Sequence, residues 1–275
     1  MLALKDVNKY YGRNHVLKDI SLDFHAGESL VLVGESGSGK TTIAKIIAGM
    51  EKADHGSVLF AGRSLAGNCR QRRFEDCAHI QYIFQDPYSV LEPAFTVERV
   101  FAETERICRR NRWQFITGTE ALSYVDANLL HYLQRPIREL SGGQRQKICI
   151  ARALIPIPKV IIADESTSML DYESSIDIFN LLNRIKEEKG IILITILHDI
   201  DLSYDRWDKI AVLESGALVE QMPFSDFYSK AKHPYSRELI EAYKFFQEDI
   251  VDAEDTTTGR QCKSGIALTG PYIGG

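Results

Sequence analysis

Eight residues between an apolar run and a helix constrain this chain more than any others. Gly34-Glu35-Ser36-Gly37-Ser38-Gly39-Lys40-Thr41 fits the pattern G-x-x-x-x-G-K-[ST] in full. Leu30-Val31-Leu32-Val33 before it suits a strand buried on both faces of a parallel sheet. After it, Ile43, Ile46 and Ile47 fall on one side of a helix that Gly49 ends. Glycines let successive backbone N–H groups turn inward, which makes a concave anion site at a helix N-terminus. In such a loop Lys40 reaches the β- and γ-phosphates of a nucleotide and Thr41 offers its hydroxyl to Mg²⁺. The loop alone does not choose among kinases, GTPases, helicases and transport ATPases. A guanine-specifying N-K-x-D is absent, since Asn8-Lys9 is followed by Tyr10-Tyr11, which argues against a GTPase.

The rest of the chain reads as an α/β body with a helical insertion. Strand-like alternation runs from Leu2 to Tyr11, where Gly12 breaks it, and from Val16 to Phe24. Ser57 to Phe60 and Ile80 to Phe84 read as further strands. Between about Pro87 and Leu140 the spacing becomes helical, as in Val97, Val100 and Phe101, then Leu122, Val125, Leu129 and Leu133. Beyond it come a helix from about Gly143 to Leu154, a strand Val160–Ala163, a helix Glu173–Lys189 and a strand Ile191–Ile196. A hairpin around Ser215-Gly216 and short helices near 224–229 and 234–246 close a domain of residues 1–247. Residues 248–275 are acidic, then rich in Thr, Ser and Gly, the composition of a disordered tail.

Composition excludes more than it assigns. The net charge of -5 argues against a nucleic-acid partner, and no stretch approaches the ~20 apolar residues of a membrane-spanning helix. The first residues, Met1 to Gly12, lack the apolar block and small-residue cleavage site expected of a signal peptide. The five cysteines include no C-x-x-C pair and read as reduced thiols. Cys149, among Ile148, Ile150 and Ala151, reads as core.

Two further features carry chemistry. Val160-Ile161-Ile162-Ala163 delivers Asp164-Glu165 at the C-terminal end of a buried strand, the ligand edge of an open α/β sheet. Adjacent acids repel unless a cation lies between them and the site. Asp164 is the natural Mg²⁺ partner, and Glu165 is left to orient and polarise an attacking water. Leu140-Ser141-Gly142-Gly143-Gln144 opens the next helix, with Ser141 as N-cap and paired glycines that leave N–H groups to meet an anion. The chain thus holds two phosphate-binding helix starts but one lysine-bearing loop.

Together these three elements resemble the signatures of the ABC ATPases. That resemblance implies a P-loop NTPase fold with a RecA-like core, an N-terminal antiparallel β subdomain and an inserted helical subdomain, about 87–140. It implies that ATP is bound by Gly34 to Thr41 with Thr42, and that Tyr11 stacks on adenine. Gln85 corresponds to the glutamine that senses Mg²⁺ and the membrane subunit. Ser168-Met169-Leu170-Asp171 corresponds to the loop that crosses between protomers, and His198 to the switch histidine at the γ-phosphate. The implied assembly is a head-to-tail homo- or heterodimer, in which ATP on one subunit meets Ser141 to Gln144 of the other. Integral membrane permease subunits at the cytoplasmic face of the plasma membrane, served by an extracytoplasmic solute-binding protein, complete it.

Phe84-Gln85-Asp86-Pro87-Tyr88-Ser89 and His233-Pro234-Tyr235 resemble the importer branch for peptides and nickel. The chain stops soon after the second motif, where peptide members commonly run on, and this tilts the expectation toward a metal or metal chelate. Ser166 replaces the usual proline and Leu197 a small hydroxyl residue; neither removes a catalytic group. A soluble ABC protein of translation or DNA repair and a small-molecule P-loop kinase stay open as alternatives. The first commonly carries two cassettes, and the second has no need of Leu140 to Gln144.

Overall fold

The computed structural model describes residues 1–65, 72–164, 170–197 and 206–242. Glu165, Ser166, Ser168, Met169, His198 and the expected tail lie outside them.

One twisted sheet of ten strands organises the described residues. The chain begins with an antiparallel pair, β1 (Leu2–Tyr11) and β2 (Asn14–Phe24). It continues through β3 (Ser29–Gly34), α1 (Lys40–Ala48), β4 (His55–Phe60), β5 (Arg63–Ser64), α2 (Phe74–His79) and β6 (Ile80–Ile83). The helical stretch contains α3 (Pro87–Val90), α4 (Val97–Asn111) and α5 (Gly118–Asp126). Then follow α6 (Gly142–Leu154), β7 (Val160–Asp164), α7 (Tyr172–Lys189), β8 (Ile192–Ile196), β9 (Lys209–Glu214), β10 (Ala217–Pro223) and α8 (Phe224–Lys230). A last helix spans 234–242 as far as it is described. The strand order is β5-β4-β1-β2-β10-β9-β3-β8-β7-β6. The first four strands are antiparallel, while β9, β3, β8, β7 and β6 run parallel.

Period-two geometry explains the unbroken apolar runs. In β3, Val31 and Val33 face the cluster built with α4 to α7, while Leu30 and Leu32 face the one built with α1, β1, β2 and β4. Ile161 and Ala163 of β7 take the first side, and Val160 and Ile162 the second. Both faces are covered, so every position is apolar. Truncating a fully buried residue such as Ile162 to alanine costs about 2–5 kcal/mol.

The helical stretch is fixed by local chemistry. Thr117 and Glu120 form a capping box at the start of α5. Gly118 lies so close to Phe101 of α4 that a Cβ would stand 2.2 Å from the ring-bearing carbon, so only glycine lets the two helices meet there. Neither α2 nor the two-residue β5 is expected from the sequence pattern, because both are too short to show a period. Cys149 is buried, and burial pushes its thiol up to about 11, which fits a core filler.

Candidate nucleotide site

The parallel strands deliver their C-terminal ends to one edge, and the phosphate loop leaves β3 there. Gly34 has φ +150°, and a Cβ on it would sit 2.1 Å from the Leu213 carbonyl oxygen; the loop departs between two neighbouring strands. Gly39 has φ +104° and caps α1 in the left-handed region. These two glycines fold the loop into a cup of about 250 Å³, lined by Val16, Ser36, Gly37, Gly39, Lys40, Thr41 and Thr42.

Lys40 is 4% exposed. Its ammonium crosses back over the loop and donates to the Gly34 carbonyl at 2.6 Å and the Glu35 carbonyl at 2.9 Å. The Ser38 N–H also donates to the Glu35 carbonyl, at 3.1 Å. The Ser38 hydroxyl is buried with no hydrogen-bond partner among the described residues. An orphaned buried hydroxyl beside a buried cation and a helix N-terminus fits an oxyanion ligand.

Asp164 ends β7 and is 7% exposed. Thr41 Oγ1 donates to its Oδ1 at 3.3 Å, and the Tyr82 hydroxyl donates to its Oδ2. A hydroxyl and a carboxylate side by side at the mouth of the cup form the oxygen donor set that suits Mg²⁺. Sequence reasoning names Thr41 and Asp164 but misses Tyr82, whose role depends on how β6 registers against β7.

Tyr11 is 45% exposed rather than packed into the core. Burial first, then the Glu51 carboxylate, holds its phenol above the ordinary value, while a hydrogen bond with Thr42 pulls the other way. The Tyr11 ring therefore stands beside the residue that follows the loop. The His233-Pro234-Tyr235 segment also returns here: the Glu35 backbone N–H and the Glu35, Glu214 and Glu238 carboxylates act on the Tyr235 phenol, which burial foremost raises.

The second helix start is built separately. Ser141 Oγ accepts the Gln144 N–H at 3.3 Å and Gln144 Oε1 accepts the Ser141 N–H at 3.0 Å, a reciprocal capping box at α6. None of Ser141, Gly142, Gly143 or Gln144 lines the phosphate cup. Arg145, 6% exposed, donates to the Ile137 and Arg138 carbonyls, both at 2.9 Å, and lies 3.9 Å from the Tyr88 ring centroid. Gln85 is exposed, three residues before Tyr88. Asp171 caps α7 by accepting the Ser174 N–H and hydroxyl, both at 2.9 Å, and these bonds hold its carboxyl below the ordinary value.

Comparison with known proteins decides the family. The ABC transporter family profile matches residues 17–168. The oligopeptide transport ATP-binding protein OppF of Bacillus subtilis is 36% identical over 250 residues, covering 88% of this chain and 82% of that protein. This chain belongs to the ABC transporter ATP-binding family.

Other relatives of this ABC ATPase include the glutathione import ATP-binding protein GsiA of Pectobacterium atrosepticum. That protein is 37% identical over 86% of this chain and 38% of its own length. Among solved structures, the ADP conformation of the MJ1267 cassette superposes with a TM-score of 0.72 at 26% identity, covering 87% of this chain and 97% of that one. A dimeric MJ0796 cassette bound to ADP and Pi gives a TM-score of 0.67 at 27% identity, over 82% and 99% of the two chains. The cassette fold, with ATP as its nucleotide and hydrolysis as its activity, follows from this membership. Among the described residues no helix of the cassette is long and apolar enough to cross a membrane. The tilt toward a metal cargo finds no counterpart in these relatives, which are named for oligopeptides and glutathione.

Proposed function

We propose that this cassette powers a peptide-family ABC importer, as a subunit bound to membrane permeases at the cytoplasmic face of the membrane. The observation that carries the reading is the cup of Gly34 to Thr42 set beside the Thr41–Asp164 pair, together with relatives named for oligopeptide transport over most of their length. Tyr11 holds the adenine ring. The loop N–H groups, Lys40 and Ser38 hold the β- and γ-phosphates. Thr41, Asp164 and Gln85 would hold Mg²⁺, which when bound neutralises phosphate charge. Glu165 takes a proton from water as the water oxygen bonds to the γ-phosphorus and the bond to the β–γ bridging oxygen breaks, releasing ADP and phosphate. His198 steadies the γ-phosphate oxygens.

Ser141, Gly142, Gly143 and Gln144 serve the ATP of a second cassette, and Asp171 lies in the segment that crosses to it. Two observations support this division. The α6 start contributes nothing to its own chain's cup, and a related cassette is dimeric with ADP and Pi.

The test compares cells carrying the native gene with cells carrying Lys40→Ala, scored for growth on a di- or oligopeptide as sole source of a required amino acid. The expected result is loss of peptide-dependent growth with unchanged nickel and cobalt content. Normal peptide growth with a fall in cellular metal would reassign the importer to metals or metal chelates.

A further inference from the structure

Tyr11, the residue proposed to hold adenine, ends β1 just before the Gly12 turn. An exposed side chain at the tip of a hairpin ordinarily changes rotamer freely. Two residues earlier lies Lys9, whose side chain is only 11% exposed. Its ammonium donates to the Lys52 carbonyl at 2.8 Å and lies 3.6 Å from a Glu51 carboxylate oxygen and 3.7 Å from one of Asp54. All three partners belong to the segment between α1 and β4. Asp54 is itself tied to the hairpin, since its Oδ2 accepts the Tyr10 N–H at 2.6 Å. The ammonium held in this way stands 5.2 Å from the centroid of the Tyr11 ring.

We propose that Lys9 is a positioning residue for nucleotide binding, which holds one face of the Tyr11 ring and leaves the other to adenine. This rests on the reading of Tyr11 as the residue that stacks on the base. A cation over an aromatic face is attracted by the ring quadrupole, and more strongly where the cation is shielded from water. Lys9 is so shielded, and oxygens of Glu51, Lys52 and Asp54 keep its ammonium in place. The ring therefore settles against a fixed cation, which sets its plane relative to the end of α1. A ring ordered in advance loses less side-chain freedom when a base stacks on it. Lys9 also covers charge. The Glu51 carboxylate acts on the Tyr11 phenol, so it stands close enough to oppose an anionic ligand, and the ammonium beside it offsets that repulsion. The competing account makes Lys9 a staple between β1 and the segment after α1. Its loss would then lower stability and, by uncovering Glu51 and Asp54, weaken every anionic ligand alike, with or without a base.

The deciding experiment measures, by isothermal titration calorimetry on the purified full chain, the Kd of ADP and of inorganic pyrophosphate, which has no base to stack. In Lys9→Met, which keeps an apolar stem, the ratio of the pyrophosphate Kd to the ADP Kd is expected to fall about fivefold, the equivalent of one cation–π contact. Lys9→Arg keeps a cation that can lie over the ring and should restore most of the native ratio. A native ratio in Lys9→Met, with both ligands weakened equally or not at all, overturns the proposal. So does a ratio in Lys9→Arg as low as in Lys9→Met. Lys9→Gln, whose amide can still donate to the Lys52 carbonyl, carries the same test if the methionine variant folds poorly. Tyr11→Ala separates the two layers. If it lowers the ratio while Lys9→Met does not, adenine stacking stands and the role of Lys9 falls. If Tyr11→Ala keeps the native ratio, the stacking reading falls and the proposal with it.

Discussion

Arg145 is the side chain whose removal should cost most outside the apolar core. In Arg145→Met the stem is conserved and only the guanidinium is lost. Three contacts go with it: the bonds to the Ile137 and Arg138 carbonyls and the stack on Tyr88. Their weights differ. The Ile137 carbonyl keeps a second donor, the Leu140 N–H at 3.1 Å, so its loss is partial. The Arg138 carbonyl has no other donor among the backbone bonds of the described turn, so it bears the larger share of a cost of about 1–3 kcal/mol for an unsatisfied acceptor. The stack faces solvent through Tyr88 and adds about 0.5–1 kcal/mol. Relief from burying a cation offsets part of this. The net loss is about 2–4 kcal/mol, which at a urea slope of roughly 3 kcal/mol/M lowers the unfolding midpoint by about 1 M. Circular dichroism across a urea series measures it. Arg145→Lys should fall nearly as far, because an ammonium cannot fork to two carbonyls while stacking. A midpoint equal to the native one in Arg145→Met would refute the reasoning.

Other perturbations separate stability from function. Lys40→Ala should abolish detectable ATP binding in isothermal titration calorimetry, and because Lys40 also ties Gly34 to Glu35 it should slightly lower thermal stability without nucleotide. Ser141→Ala removes an N-cap and should cost about 1 kcal/mol in urea, yet block ATP-dependent dimerisation in gel filtration. Tyr124→Phe loses the 2.6 Å bond to Glu188 that ties α5 to α7 and should cost about 0.5–1.5 kcal/mol by the same urea assay. Asp208 supplies the pH test. Burial alone would raise its carboxyl, but the Ser29 N–H, Lys186 and the Ser29 hydroxyl hold it below the ordinary value. Its contribution is therefore full above the unfolded value near 3.8 and is lost as pH falls through the lower folded value. Thermal melts between pH 6 and pH 3 should show the native chain losing stability in that window, with Asp208→Asn flatter.

What the sequence reveals about this fold depends on length and period. The strands β3, β7 and β8 are legible because burial on both faces leaves only apolar residues, as in Leu30 to Val33 and Val160 to Ala163. The start of α1 is legible because a phosphate cup has few chemical solutions. Side chains that cross between elements are not legible. Tyr82 reads as one more strand aromatic until the β6–β7 register brings its hydroxyl to Asp164. Arg145 reads as a solvated helix residue until the turn at 137–139 folds its carbonyls beneath the guanidinium. Arg72 likewise gives no sequence signal, yet it is buried and donates to the Ile46 and Ile47 carbonyls at the end of α1, where a cation complements the helix dipole.

The two helix starts differ in a way that bears on how the cassette works. At α1 the left-handed Gly39 caps the helix without a side-chain bond, and the neighbouring Ser38 hydroxyl is left without a partner among the described residues. At α6 the capping box satisfies Ser141 and Gln144 within the chain, so that helix is stable without any ligand. Its first-turn N–H groups at Gly142 and Gly143 still have no intrahelical acceptor. On the proposed function, the first site binds nucleotide within one chain. On the same reading the second, its cap already complete within the chain, has little ordering left to do when it meets a phosphate of the other cassette. A preformed second surface lets binding energy go into closing two cassettes together, because little of it is spent on folding the surface itself. On that logic, weakening the α6 cap should lower the affinity of the closed dimer more than the affinity of one chain for ATP.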